Sequence, residues 1–207
     1  MVKWRDGDGL CFSSGMIDDA VLFLRQHLSS ALKSLSSAAP EDLAEEPVVF
    51  VDDAKMDYVT FKPGAISVLL VNIEEETTLR EPDRYSRVSP NGVCKAVQPE
   101  IRINLYVLFV AQFTQYEQSL KYLSRIVQHF QNHRVFNQQN APELSQRIDR
   151  LVLELITLPF SEQNEIWNAL RTAYRPSVLY KARMIVFRDE GALPQPEIAE
   201  TILGATP

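Results

Sequence analysis

The chain is poor in the residues that most often announce chemistry. Its two cysteines, Cys11 and Cys94, stand in unrelated contexts without the paired spacing of a zinc site or a CxxC redox motif, which argues for a reducing compartment. Basic residues are outnumbered 21 to 27, giving a formal charge of -6, and no run of Lys or Arg could neutralise successive phosphates. Nucleic acid is therefore not an expected partner. No apolar stretch approaches the roughly 20 residues of a membrane span, and the start MVKWRDGDG lacks the apolar core of a signal peptide. Of only seven glycines, three fall at Gly7, Gly9 and Gly15, but Gly7-Asp8-Gly9 follows no strand and its third glycine is misplaced for a phosphate loop. No serine lies in GxSxG, so no nucleophile elbow is expected.

What the chain does have is apolar content, 45% over 207 residues, enough to bury the core of one domain. The organising stretch is Ile101 to Phe113, IRINLYVLFVAQF. In an extended strand Ile101, Ile103, Leu105, Val107 and Phe109 share an apolar face, while Arg102, Asn104, Tyr106, Leu108 and Val110 share one that begins polar and turns apolar. Such a strand is central, covered fully on one side and partly on the other. Thr114 and Glu117 then have the spacing of a capping box, so a helix is expected directly after it.

A first helix is read at Met16 to Leu35, from the stripe Ile17, Val21, Leu24, Leu28, Ala31 and Leu35, with Asp18 and Asp19 facing the positive end of its dipole. Short strands follow at Val48 to Val51 and Tyr58 to Phe61, and Pro63-Gly64 turns the chain into Ala65 to Ile73, a plausible antiparallel meander. Thr77 to Gln98 reads as a long excursion. After the central strand, Tyr116, Leu120, Leu123, Ile126, Val127 and Phe130 mark a second helix. A strand is expected at Arg150 to Leu158, a short helix from Ser161 with Ile166, Trp167 and Leu170, and a last strand at Ser177 to Phe187. This predicts residues 1–15 as an extension, 16–188 as one domain, and 189–207 as a proline-bearing tail. The fold class is α/β of the α+β type: one mixed, largely antiparallel sheet with helices packed mainly on one face.

Candidate chemistry is thin. His129 and His133 stand four apart, a spacing two metal ligands can use, but a last helical turn favours such groups anyway and no third ligand is near in sequence. Asp52, Asp53 and Asp57 lack the turn glycine and bidentate glutamate of a calcium loop. His27 has only helix neighbours in sequence. Trp167, Tyr174, Tyr106 and Tyr116 read as packing residues. No catalytic residue, metal or cofactor is expected, and an enzyme is the weaker reading. The physical case is for assembly: Leu69, Val71, Ile73, Leu108, Val110, Ile185 and Phe187 leave apolar groups on the second sheet face, which predicts an interface. Glu74, Glu75 and Glu76 are either a charged strand end or an acidic docking patch. A peptide-binding module using the long excursion is a different reading.

Five segments in order carry a family resemblance: MIDDAVLFLRQHL; VLLVNIEEE; INLYVLFVAQF with YEQSLKYLSRIVQHFQNHRVF; LVLELITLPFSEQNEIWNAL; and YRPSVLYKARMIVF. Together they resemble the cap, or tail terminator, proteins of extracellular contractile injection systems, the phage-tail-like particles of bacteria. Relatives carry a Leu-Gly-x-Lys-Tyr-like stretch where this chain has Leu170-Arg171-Thr172-Ala173-Tyr174. The resemblance implies a tail-terminator-like fold and a homohexameric ring on the distal end of the inner tube. Such a ring stops tube and sheath polymerisation and anchors the last sheath layer. Tube and sheath proteins are the implied partners, with an edge strand accepting a sheath arm, or else the chain is an adaptor joining the cap to another component. Assembly in the bacterial cytoplasm, into a particle, is implied with it.

Overall fold

The structure, a computed structural model, describes residues 16–35, 45–51, 59–76, 86–88, 94–96 and 101–187. The expected N-terminal extension and C-terminal tail, and the Asp52, Asp53 and Asp57 cluster, lie outside these residues. Helix α1 (Met16–Leu35) leads into β1 (Val48–Phe50) and β2 (Ala65–Glu75), and then a small antiparallel pair, β3 (Ser86–Val88) and β4 (Cys94–Ala96). The central strand β5 (Ile101–Gln112) precedes α2 (Tyr116–Asn132), β6 (Val135–Asn137) and β7 (Arg150–Ile156). Helix α3 (Phe160–Ala169) and strand β8 (Ser177–Phe187) complete the described elements.

Six strands form one mixed sheet in the order β1-β2-β5-β8-β7-β6. All its pairings are antiparallel except β1 with β2, which is parallel. The antiparallel meander expected at this end is therefore wrong. The reason is topological: strands that run the same way, as β1 and β2 do, cannot be the two arms of a hairpin. The turn at Pro63-Gly64 does form, with Gly64 at φ 75 and its amide donating to the Gln112 carbonyl at 2.7 Å. A positive φ is open to glycine without the Cβ clash other residues meet.

Helices α1 and α2 cover one sheet face. From α1, Ala20, Leu24, Leu28 and Leu32 are fully buried. From the sheet, Ile66, Val68, Leu105, Val107, Phe109, Leu153, Tyr180 and Ala182 meet them. Fully burying an aliphatic side chain of this size stabilises by roughly 1.5–3 kcal/mol, so this layer is the main source of stability. Phe109, Phe130 and Tyr180 interlock at ring-centroid distances of 5.0 to 5.9 Å.

Helix α2 differs from its expected stripe. Tyr116 is 66% exposed and Leu120 45%, while Ser119 and Tyr122 are buried with Leu123, Ile126 and Phe130. The expected capping box also does not form. Gln115 is the N-cap and makes no side-chain cap bond, and the Ser119 hydroxyl instead accepts the Phe113 amide at 3.3 Å. Ser119 is thus on the buried side of the helix, where Tyr122 stacks on Phe113 with ring centroids 4.5 Å apart.

Residues 138–149 give no periodic signal, yet they pack. Ala141, Leu144 and Ile148 are buried, and the Gln138 side-chain amide donates to the carbonyls of Leu144 and Ser145 at 3.0 and 2.9 Å. The Asn137 and Asn140 side chains close the turn onto nearby backbone groups at 2.8 to 3.0 Å. The Asn/Gln richness that reads as loop is thus a side-chain substitute for secondary structure.

Candidate assembly surfaces

The polar-to-apolar gradient along β5 divides the second sheet face in two. At its apolar end Leu108 (4% exposed) and Val110 are buried with Leu179 under Trp167 of α3 and Phe61. Leu69, Val71, Tyr106, Ile156, Ile166 and Leu170 pack around them. The Trp167 ring meets Phe61 edge-on at 6.0 Å and Tyr174 at 5.4 Å.

The expected open apolar face is therefore sealed from within the chain. Leu108 and Val110 are buried there and Leu69 and Val71 pack against them partly buried, because α3 crosses over this side of the sheet rather than joining α1 and α2. Ile73 does not share that face. Register shifts between Leu70 and Asn72 and between the β8 partners of Ile103 and Leu105 each insert one residue. Because side chains alternate, one insertion moves every later residue to the opposite face. Ile73 then stands opposite Leu105 and is half exposed, while Ile185 and Phe187 pair in register with Ile103 and Ile101.

At the polar end, Glu74 accepts bonds from Lys181 Nζ at 2.8 Å and Tyr106 Oη at 2.7 Å, and Lys181 also lies over the Tyr106 ring. These bonds hold the Glu74 carboxyl below its usual range, the Lys181 bond first. For Lys181, partial burial pulls downward, but Glu74 and Tyr106 together outweigh it and its pKa is raised. Glu76, nearly buried, accepts from Asn104 Nδ2 at 3.0 Å and pairs with Arg183 at 3.7 Å. Arg183 Nη1 grips both oxygens of Glu154 at 2.9 and 3.1 Å, and Arg134 approaches Glu154 at 3.6 Å. Glu74 and Glu76 are thus tied within the sheet rather than presented as a docking patch. Glu75 stands opposite Ile103 and is exposed.

The chain's three histidines converge, which spacing alone did not reveal for His27. Its ring lies 5.1 Å from His129 and 6.2 Å from His133, and the latter two stack at 4.7 Å. Phe23 and Phe136 complete the cluster around His27. Burial, then the neighbouring imidazoles, lowers His129 to about 4; burial also lowers His27 against the opposing pull of Glu143. Both Nε2 atoms are buried without a hydrogen-bond partner. Among the described residues no group of three or more His, Cys, Asp or Glu is arranged to hold a metal ion. The cluster is a packed joint between α1 and α2. Among the described residues, too, no helix is long and apolar enough to cross a membrane.

Helix α3 ends at Ala169 with Leu170 as its C-cap, and Arg171 just beyond has a φ of 51. Its amide donates to the Asn168 carbonyl at 3.1 Å, closing the helix. The left-handed conformation that a glycine would take freely is here imposed on an arginine.

The Pvc16 N-terminal domain family matches residues 21–200, from the second turn of α1 through every strand of the sheet. The chain belongs to this family. Comparison with curated proteins gave no match. Among solved structures the family member described here is similar to the sheath/tube terminator of an extracellular contractile injection system, PVC, in its extended state. The identity is 14%, over 90% of this chain and 64% of that one, with a TM-score of 0.47. It is also similar to the tube-terminating cap of the anti-feeding prophage, at 18% identity over 93% of this chain and 62% of that one, with a TM-score of 0.49. The chain spans less than two-thirds of the length of each.

Proposed function

We propose that this chain is a structural cap subunit of a contractile injection system. It forms a ring on the distal end of the inner tube, ends tube and sheath polymerisation, and anchors the last sheath layer. The observation that carries the reading is the family match across residues 21–200, which takes in four of the five ordered segments that resemble cap proteins and most of the first. The geometry is compatible with an assembly part: polar groups near the sheet are tied to one another in the Glu74–Lys181 and Glu154–Arg183 pairs. Its partners on this reading are further copies of itself and the tube and sheath proteins, its role is not catalytic, and it assembles in the bacterial cytoplasm.

Polymerising purified tube protein with increasing amounts of this chain tests it. Tubes should shorten as the chain is added, with one end of each tube labelled by it in electron micrographs. Unchanged tube length with no end labelling would overturn the reading.

A further inference from the structure

We infer that His27, His129 and His133 together bind one zinc ion, which ties α1 to α2. The inference goes beyond the cap reading and does not rest on it. By sequence spacing His129 and His133 lack a third ligand, and the packing of α1 on α2 supplies it.

Two separate observations point to a cation. The first is the separation of the rings. His129 lies in the last turn of α2 and His133 is its C-cap, four residues apart as two metal ligands can be. Helix α1 brings His27 to ring-centroid distances of 5.1 Å from His129 and 6.2 Å from His133, and the latter two are 4.7 Å apart. In a tetrahedral site with a zinc–nitrogen bond of about 2.1 Å, imidazole centroids stand about 5 Å from one another. The helices thus hold two pairs at that separation and the third slightly beyond it.

The second is nitrogen left unused. Nε2 of His27 and Nε2 of His129 are buried and have no hydrogen-bond partner among the described residues. A buried polar atom without a partner is costly, and one cation would satisfy both. His133 Nδ1 lies 3.1 Å from the His129 carbonyl oxygen, which can only accept, so the proton sits on Nδ1 and the lone pair on Nε2. A backbone carbonyl holding one ring nitrogen in this way is the usual outer support of a metal-binding histidine.

The surroundings favour zinc over a proton or a hard ion. Burial holds His27 and His129 below the ordinary imidazole range, so both are neutral at pH 7, the form that binds metal. Glu143, from the 138–149 segment, acts on His27 with the sign that attracts a cation. Phe23 and Phe136 wall the cluster with apolar rings, while exposed His133 leaves an entry and room for water as a fourth ligand. Imidazole suits zinc, whereas magnesium and calcium take oxygen ligands. As packed, the His129 and His133 rings lie 28° from parallel, so their nitrogens do not converge and the three side chains are not a ready-formed metal group. Binding therefore turns the rings about their side-chain torsions, with the helices left in place.

The test titrates the full-length chain, free of any histidine tag, with zinc chloride by calorimetry, and reads the melting temperature in parallel. One ion per chain should bind, and at a hundredfold excess over Kd the melting temperature should rise by roughly 5–10 °C, a rise that EDTA reverses. His133→Ala and His27→Gln should each bind zinc at least tenfold more weakly. His133 is exposed, so H133A should melt with wild type when zinc is absent, which separates loss of a ligand from loss of fold. Magnesium chloride should leave wild type unchanged. No zinc-dependent rise in wild type would overturn the site. So would wild-type affinity in either variant, which would put the ion on other groups, or an equal rise with magnesium, which would be general screening of charge.

Discussion

Replacing Trp167 with alanine asks whether α3 is a structural lid on the second sheet face or a loosely held element. Trp167 is 5% exposed, seals Leu108, Val110 and Leu179, and contacts Phe61 and Tyr174 edge-on. A buried Trp→Ala change costs about 3–5 kcal/mol, the upper end applying where neighbours cannot collapse into the space. Here one neighbour is a sheet, held rigid by pairing on both sides of β5, so about 4 kcal/mol is expected. Helix α3 has only ten residues and no side-chain N-cap bond, so it depends on this packing. In a domain of this size each kcal/mol lowers the melting temperature by roughly 2–4 °C, which predicts a fall of roughly 8–16 °C. Calorimetry measures it, and binding of a hydrophobic dye should rise at temperatures below unfolding as Leu108 and Val110 become accessible. A fall below about 2 °C would refute the reasoning and return this face to the role of an interface, sealed by a partner instead of by the chain.

Acid should loosen the joint between α1 and α2. His129 is lowered to about 4 in the folded chain from an ordinary 6.5, so below 6.5 the unfolded state binds more protons. Stability is then lost progressively as pH falls from about 6.5 to about 4, by about 2 kcal/mol after allowance for solvent screening; denaturant unfolding at the two pH values should show the loss, and His129→Gln should reduce it. Arg183→Ala leaves the nearly buried Glu76 and the gripped Glu154 without their shared cation and should cost about 2 kcal/mol, whereas Lys181→Ala, at the exposed Glu74 pair, should cost less than about 1 kcal/mol; equal losses would contradict the difference in burial. Arg171→Gly should raise stability by about 0.5–1 kcal/mol in chemical denaturation, because glycine takes a φ of 51 without strain, and a loss would mean the arginine side chain has a role beyond the turn.

Legibility in the sequence followed the length and regularity of each pattern. Helix α1 and strand β8 fall where the apolar spacing places them, Met16–Leu35 and Ser177–Phe187, because each repeats its period several times. Strand β6, three residues inside an Asn/Gln-rich stretch, has no period long enough to see. The apolar stripe of α2 does not mark its buried face, because a buried serine and its bond to Phe113 carry no apolar signal. The grouping of the assembly candidates on one face depends on more than a local pattern. Unbroken alternation would keep Ile73 with Leu69 and Val71, but a single extra residue in β2 moves it to the other face, and β8 carries a register shift of its own.

By itself the sequence determined the elements, their order, and the two-sided character of β5, because these depend on neighbours within a few residues. It also carried the family, since a match spread over residues 21–200 is a property of the whole ordered pattern. Only the tertiary structure decided that β1 runs parallel to β2, that α3 closes the second face, and that His27 meets His129 and His133. It alone decided which strands are edges. Each of these depends on where a crossover, a bulge or a helix axis puts residues distant in the chain, and a local pattern of apolar and polar groups is the same whichever way those distant pieces are joined.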